Sequence, residues 1–106
     1  MSSFGLFVRI TLRDGASEGF DALVRETTAA IRAMEPRTLL YACHKVEGTP
    51  DQRVFFELYE DRAAFDEHGR QPHIQHFLTE GSKFIAATEV DQLSLYAGKI
   101  PPEAKL

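Results

Sequence analysis

Three of the four histidines of this chain lie within one stretch, Val54–Leu78, and imidazole is the side chain best suited to moving protons near neutral pH. The three are His68, His73 and His76. His68 follows Phe65 by three residues in a predicted helix, so both side chains share the face that should pack on a sheet. We therefore take His68 as a candidate general base. The alternative is a histidine at a helix end that binds a backbone carbonyl and favours the helix dipole.

Three further polar residues lie on predicted strands. His44 interrupts an apolar run and either lines the same pocket as a second candidate base or is an edge histidine with a satisfied hydrogen bond. Glu57 and Tyr59 share one strand face because side chains alternate with a period of two. Glu57 could orient a histidine or accept a substrate proton, and Tyr59 could donate a hydrogen bond to a phenolate. The alternative for Glu57 is a cross-strand ion pair with Arg9 or Lys45.

The remaining metal-ligating and nucleophilic side chains favour no site. His73 and His76 are three residues apart on a predicted helix, a spacing that can chelate a metal. However, Pro72 puts His73 in the first turn and no third ligand accompanies the pair, so we expect a solvated helix face and no metal. Cys43 is the only cysteine. It excludes a disulfide framework within one chain, fits a reducing cytoplasm, and is expected to fill space in the core.

The elements that must position these residues follow from the apolar periodicity and from turn and cap residues. In the first half of the chain the patterns predict a strand at Phe4–Leu12, a helix over 17–34 with Ser17 as N-cap and Pro36 beyond its end, and a strand at Thr38–Val46. A turn at 48–51 and a strand at Arg53–Tyr59 follow, and then a helix at Arg62–His68 that is capped by Asp61 and ended by Gly69. The last predicted elements are a helix from Pro72, with an apolar stripe that reaches Phe84 and Ile85, and a strand at Thr88–Ala97.

This β-α-β-β-α(α)-β order is typical of the α+β ferredoxin-like split βαβ fold, an antiparallel sheet with helices on one face. We expect a single domain over residues 1–106, with 99–106 as an extended tail. The middle strands are apolar on both faces, whereas helices can cover only one. Leaving the other face bare would expose more than the few hundred Å² that soluble monomers usually show. The pattern therefore predicts a homodimer whose sheets pack face to face; the alternative is a monomer whose apolar strands stay exposed.

Composition excludes several classes of protein. The 106 residues are 43% hydrophobic and 26% charged, which is typical of globular domains. A net charge of -4 with no cluster of Lys and Arg argues against nucleic-acid binding. The N-terminal segment, interrupted by Arg9, does not resemble a signal peptide, and no apolar run approaches the roughly 20 residues that cross a bilayer. We expect a cytoplasmic protein with a small-molecule substrate.

Motifs along most of the chain resemble the antibiotic biosynthesis monooxygenase family of dimeric α+β barrels. The matching residues occur in the family's order and spacing: Tyr41-Ala42-Cys43-His44, Glu57-Leu58-Tyr59-Glu60-Asp61, Ala63-Ala64-Phe65-Asp66-Glu67-His68, Pro72-His73 and Phe77. The sequence departs from the family where Trp often stands at the position of Tyr59. The haem-degrading members need a Trp and an Asn, and the chain contains neither. The resemblance therefore does not imply haem degradation.

The resemblance implies cofactor-free oxygenation of a small quinol, polyphenol or related electron-rich aromatic. A base, His68 or His44, would remove a phenolic proton, and the anion would pass an electron to oxygen. The side chains expected to contact the substrate in a dry pocket are Tyr59, Glu57, Phe65 and Phe77. One alternative is a barrel that binds or isomerises a small molecule without oxygen chemistry. Another is a structural dimer whose own side chains fill the pocket.

Overall fold

The computed structural model describes residues 2–106, whose regular elements follow the predicted order. In chain order they are β1 (Phe4–Leu12), α1 (Ser17–Met34), β2 (Thr38–Val46), β3 (Thr49–Tyr59), α2 (Arg62–Arg70), α3 (Pro72–Gly81) and β4 (Ile85–Ser94). The expected ferredoxin-like α+β fold, with an antiparallel sheet and its helices on one face, is confirmed.

The four strands form one antiparallel sheet in the order β2-β3-β1-β4. β1 lies inside the sheet, between β3 and β4, and β2 and β4 form the edges. The register pairs Thr38 with Tyr59 and Tyr41 with Glu57. The start of β2 and the end of β3 therefore bring their polar side chains together at one end of the sheet.

The core lies between the sheet and the helices. The alternation of β1 turns five buried side chains toward the helices, namely Phe4, Leu6, Val8, Ile10 and Leu12. Phe20 of α1 is fully buried, with its ring centroid 6.2 Å from that of Phe55 in β3 and 5.9 Å from that of Phe77 in α3. Burying one such ring stabilises a fold by roughly 1.5–3 kcal/mol. These contacts hold α1 and α3 against the sheet.

The opposite, open face of the sheet is apolar and only partly covered. Phe56 lies on this face and is 43% exposed. The C-terminal tail crosses one end of the face, because the Ser3 amide donates to the Lys105 carbonyl and the Lys105 amide donates to Ser3 Oγ, both at 2.7 Å. An apolar cavity of about 440 Å³ lies between the tail and the strands, lined by Leu58 and Phe56 among others. Apolar surface therefore remains open beside the tail.

Two helix boundaries differ from the predictions. Ser17 is the first residue of α1, and the N-cap is Ala16, which makes no side-chain hydrogen bond. Gly69 lies inside α2, which continues to Arg70, so glycine does not end this helix. Asp61 caps α2 as predicted, since its side chain accepts a hydrogen bond from the Ala64 amide. Neighbouring residues of similar propensity do not fix a boundary to one position.

The strand boundaries shift as well. β3 begins at Thr49, because the turn after β2 is shorter than the predicted 48–51 segment. α3 ends at Gly81, so Phe84 and Ile85 do not extend its stripe, and Ile85 instead begins β4. β4 therefore covers Ile85–Ser94 rather than 88–97. A short apolar run satisfies both the helical and the strand period, which is why the sequence misplaced these residues.

Candidate active site

A buried carboxylate, Glu35, joins two of the histidines. Its side chain is only 4% exposed. Oε1 accepts a hydrogen bond from Nδ1 of His68 at 2.7 Å, and Oε2 accepts one from Nε2 of His73 at 2.5 Å. Thr38 Oγ1 donates to Oε1 at 2.7 Å. Three donors from three different elements thus satisfy both oxygens and hold the carboxylate in one position.

These side chains meet because several elements begin or end at the same corner. Glu35 is the residue that ends α1, immediately before Pro36, whose ring disfavours a helical conformation in the residue before it. His68 lies in the last turn of α2, and His73 lies in the first turn of α3. The break between these helices at Gln71, which has an extended conformation, allows both imidazoles to face one carboxylate.

The hydrogen bond to Glu35 fixes the tautomer of His68. Because an ionised carboxylate can only accept, Nδ1 of His68 carries the proton and Nε2 keeps its lone pair. Burial lowers the pKa of His68 below its ordinary value, and the hydrogen bond and charge of Glu35 oppose that shift only in part. The imidazole is therefore neutral at neutral pH, with an oriented ring and a basic nitrogen, as a general base requires.

Glu57 and Tyr59 form a second buried polar pair. Tyr59 Oη donates to Glu57 Oε1 at 2.5 Å, and the two residues are 0% and 4% exposed, respectively. Burial raises the pKa of Glu57 to about 7; the Tyr59 hydroxyl opposes the rise and the charge of Glu35 adds to it. Burial and then the Glu57 charge raise the pKa of Tyr59. Glu57 can therefore exchange a proton near neutral pH, whereas Tyr59 stays a neutral donor.

Aromatic rings enclose His68. The imidazole centroid lies 5.0 Å from the ring of Tyr59, 5.5 Å from that of Tyr41 and 6.4 Å from that of Phe65. The structure therefore brings together four of the six residues that the sequence singled out, namely His68, Glu57, Tyr59 and Phe65. Phe77 lies apart, in the core against Phe20 and Phe55.

A groove between α1 and β2 leads to this cluster. Two neighbouring cavities, of about 270 and 360 Å³, share Thr28, Arg32 and Tyr41 as walls. The second cavity reaches Glu35. His68 lines neither of these cavities and borders only a separate hollow of about 40 Å³. Tyr41, which lines the groove, has its ring centroid 5.5 Å from that of the imidazole. The groove has the size of a small-molecule pocket, for which a few hundred Å³ is usual.

The structure does not bring His44 into this cluster. Side chains on β2 alternate, and Tyr41 faces the helices, so the imidazole of His44 faces the open side of the sheet. It is exposed, and its Nδ1 lies 3.3 Å from the Val54 carbonyl oxygen. The position of His44 fits the alternative of an edge histidine, because the pleat directs its side chain away from His68, although His44 borders the groove cavity of about 270 Å³.

The alternative ion pairs of Glu57 are also absent among residues 2–106. Arg9 pairs across the sheet with Val54 and donates from Nη1 to Gln52 at 2.7 Å. Lys45 lies 3.9 Å from the carboxylate of Asp21. The carboxyl of Glu57 faces the helices instead, where Tyr59 supplies its hydrogen bond.

The two histidines of α3 have different surroundings. His73 was expected to be solvated, but its side chain is 16% exposed and binds Glu35. His76 is 53% exposed, with Nε2 4.0 Å from Glu26. The spacing of three residues therefore does not direct both imidazoles to one point. Among residues 2–106 no group of three His, Cys, Asp or Glu side chains is arranged to hold a metal ion.

Glu35, Thr38 and His73 are the site residues that sequence reasoning missed. A usable signal existed for Glu35. A carboxylate at the C-terminal end of a helix is unfavourable with respect to the helix dipole, so an acidic residue there, directly before Pro36, points to some other partner. The partners themselves lie 33 and 38 residues away, and no local pattern identifies them.

Comparison with known proteins assigns the family. The family model for antibiotic biosynthesis monooxygenases matches residues 3–80, which include both buried pairs. The chain belongs to the antibiotic biosynthesis monooxygenase family. The resemblance found in the sequence motifs is thus confirmed. Among curated proteins no significant sequence match is found. No helix among residues 2–106 is long and apolar enough to span a membrane.

Solved structures share the fold of this family member. PA3566 from Pseudomonas aeruginosa is 24% identical, with a TM-score of 0.83 over 92% of this chain and 97% of the other. Rv0793 from Mycobacterium tuberculosis is 22% identical, with a TM-score of 0.83 over 92% and 98%. A candidate antibiotic biosynthesis monooxygenase from Bacteroides thetaiotaomicron is 20% identical, with a TM-score of 0.82 over 95% and 93%. At these identities the likeness establishes the fold alone.

Proposed function

We propose that the chain is a cofactor-independent monooxygenase that acts on a small quinol, polyphenol or related electron-rich aromatic. Membership of the family supports a monooxygenase-like domain. The single observation that best supports this chemistry is the buried Glu35–His68 pair, with Nδ1 and Oε1 2.7 Å apart. A neutral imidazole held in one tautomer by a carboxylate is well suited to removing a phenolic proton.

His68 lines neither cavity of the groove, so the ring of Tyr41 must first turn aside for a bound substrate to reach it. The reaction then begins when a phenolic hydroxyl transfers its proton to Nε2 of His68. The resulting phenolate is electron-rich enough to reduce molecular oxygen. One oxygen atom forms a bond to a ring carbon and the other leaves as water, so a quinol and O₂ become a hydroxyquinone and H₂O. The ring supplies all the electrons, and no external reductant is consumed. A well-placed base contributes about 10²–10⁴-fold to such a step.

The surrounding residues have distinct roles in this proposal. When Glu57 is protonated it can donate to Tyr59 Oη, which frees the single Tyr59 hydroxyl proton to donate a hydrogen bond to the substrate anion. Phe65 keeps the imidazole dry, which strengthens each electrostatic contact. Phe77 does not line the groove, but it packs against Phe55, which does, and so holds the Phe55 ring in place.

Oxygen consumption tests the proposal. The purified protein is mixed with a panel of hydroquinones, naphthohydroquinones and catechols in an oxygen electrode. With a substrate that turns over, His68→Ala is expected to lower kcat at least about 100-fold. His76→Ala, on the exposed side of α3, is the matched control and should retain activity. His44→Ala should retain it as well, because that imidazole faces away from the cluster. Full activity of His68→Ala contradicts the assignment of the base.

The alternative function is a barrel that binds or isomerises a small molecule without oxygen chemistry. The same pocket and base would serve that function. Turnover under argon separates the two. A monooxygenase stops without oxygen, whereas an isomerase continues at the same rate.

We further propose that two copies pack their open sheet faces together. Phe56 and the apolar cavity beside the tail support this pairing. Burying apolar surface contributes about 25 cal/mol per Å² before association costs. Light scattering of the wild-type protein at micromolar concentration should give twice the chain mass. The Phe56→Asp variant should give the mass of a single chain. Val90→Asp is the control, because Val90 is also exposed but pairs with Val8 on the helix side of the sheet. A monomeric wild-type protein would contradict the dimer.

A further inference from the structure

The groove between α1 and β2 is basic in a chain whose formal net charge is -4. The walls of its outer cavity carry four cationic side chains and a single carboxylate: Arg25, Arg32, Lys45, Arg53 and Asp21. Arg53 occupies both oxygens of Asp21, with Nε donating to Oδ1 at 2.8 Å and Nη2 to Oδ2 at 2.9 Å. This pair is neutral as a unit. The other three cations therefore give the cavity a net positive charge.

The cations of the groove fall into two kinds. Arg53 is 5% exposed, and its remaining donors bind backbone carbonyls, so it is part of the folded framework. Arg25 and Arg32 are exposed, and within residues 2–106 neither guanidinium forms an ion pair or a hydrogen bond. Their spacing puts them, together with Thr28, on one face of α1. That face borders the groove. Two guanidinium groups without internal partners thus flank its opening.

We propose that the substrate carries an anionic substituent, a carboxylate, sulfonate or phosphate, and that Arg25 and Arg32 bind it at the opening of the groove. The aromatic ring then lies deeper, against Tyr41 and Phe55, whose rings are 5.8 Å apart and line the same cavity. The inference rests on the proposed function, since it names a substituent of that aromatic substrate. Guanidinium groups suit the role because their planar fork matches the oxygens of such anions.

Three observations support an anion here rather than a neutral group. The positive charge is concentrated along one groove of an acidic protein, so it attracts anions locally against the overall field. The groove continues to the cavity that Glu35 borders, so an anion at the arginines leaves the attached ring directed toward the buried cluster. Lys45, whose side chain is 68% exposed and whose Nζ lies 3.9 Å from an Asp21 oxygen that Arg53 also binds, adds a third cation on the opposite wall.

Binding of a matched pair of ligands tests the inference without turnover. The probes are 1-naphthol and 1-naphthol-4-sulfonate, titrated into the full-length protein by calorimetry at low ionic strength. The sulfonate is expected to bind about 25-fold more tightly, and Arg25→Ala and Arg32→Ala should each lower its affinity about fivefold, the upper range for a partly exposed ion pair. The double variant should bind both probes equally. Arg13→Ala, an exposed arginine outside the groove, is the control and should change nothing.

Several outcomes would overturn the inference. These are equal affinity of the wild-type protein for the two probes, failure of both to bind, or a preference for the sulfonate that survives in the double variant. Raising the salt concentration to about 0.5 M should weaken binding of the sulfonate only, because screening acts on the charged contact. The preference without oxygen consumption would refute the proposed reaction and leave the anion site standing. Oxygen consumption without the preference would do the reverse.

Discussion

Removing the Glu35 carboxylate is the sharpest test of the buried cluster. In Glu35→Ala, three donors that now share this carboxylate, from His68, His73 and Thr38, lose their acceptor in a site that is 4% exposed. Each orphaned buried donor costs about 1–3 kcal/mol. We expect a loss of about 3–5 kcal/mol in the free energy of unfolding, since the histidines can rotate in part toward water.

The conservative variant should lose less. Glu35→Gln keeps the shape and one acceptor oxygen, and His73 can change tautomer to accept from the new amide group. We expect a loss of about 1–2 kcal/mol, because a hydrogen bond to a charged group is roughly twice as strong as a neutral one. Glu26→Ala, whose carboxylate is 71% exposed, is the matched control and should stay within about 0.5 kcal/mol of wild type.

Urea unfolding followed by circular dichroism measures all three variants, at one fixed protein concentration because a dimer makes stability depend on concentration. Each kcal/mol corresponds to about 4–8 °C in Tm for a domain of about this size, so Glu35→Ala should melt at least about 12 °C lower. If Glu35→Ala unfolds at the same urea concentration as Glu26→Ala, Glu35 does not anchor the histidines and the reasoning fails.

Three further predictions concern buried titratable groups and glycines. The folded state raises the pKa of Glu57 from 4.5 to about 7, so its contribution to stability is complete below about pH 4.5 and is lost as the pH rises to 7. Glu57→Gln keeps an acceptor for Tyr59 but does not titrate. The free energy of unfolding of this variant, measured in urea relative to wild type, should therefore rise by about 2–3 kcal/mol from pH 5 to pH 8. A difference that does not change with pH would refute this. Burial, and then the Glu57 charge, raises the pKa of the Cys43 thiol to about 12. A disulfide reagent at pH 8 should therefore modify this thiol about 10³-fold more slowly in the native protein than in urea. Equal rates would contradict this prediction. Gly69→Ala, inside α2 with open space around the added methyl group, should stabilise the fold by about 0.5–1 kcal/mol. Gly48→Ala, in a turn at φ +79°, should destabilise it by about 1 kcal/mol. In thermal melts the Tm shifts of the two variants relative to wild type must therefore have opposite signs.

The site illustrates why a local pattern places a residue on an element but not always in a cluster. The period of two correctly put Glu57 and Tyr59 on one face, and the helical period correctly turned His68 inward. The same strand period, applied to β2, puts His44 and Tyr41 on opposite faces of the sheet, so only Tyr41 contacts His68. His73 was assigned to solvent from its position in a first helical turn, and only the carboxylate of Glu35 explains its burial.

The order and type of the elements, and with them the ferredoxin-like fold, follow from the amino-acid sequence. They do so because apolar periodicity, proline positions and the Asp61 cap act over a few residues, and because the motifs from Tyr41 to Phe77 are spaced as in the family. Which polar side chains meet depends instead on how the elements pack. Glu35 finds its partners 33 and 38 residues away, where α1 ends beside the junction of α2 and α3. Burial, which shifts the pKa values of His68 and Glu57, exists only once these elements have packed together.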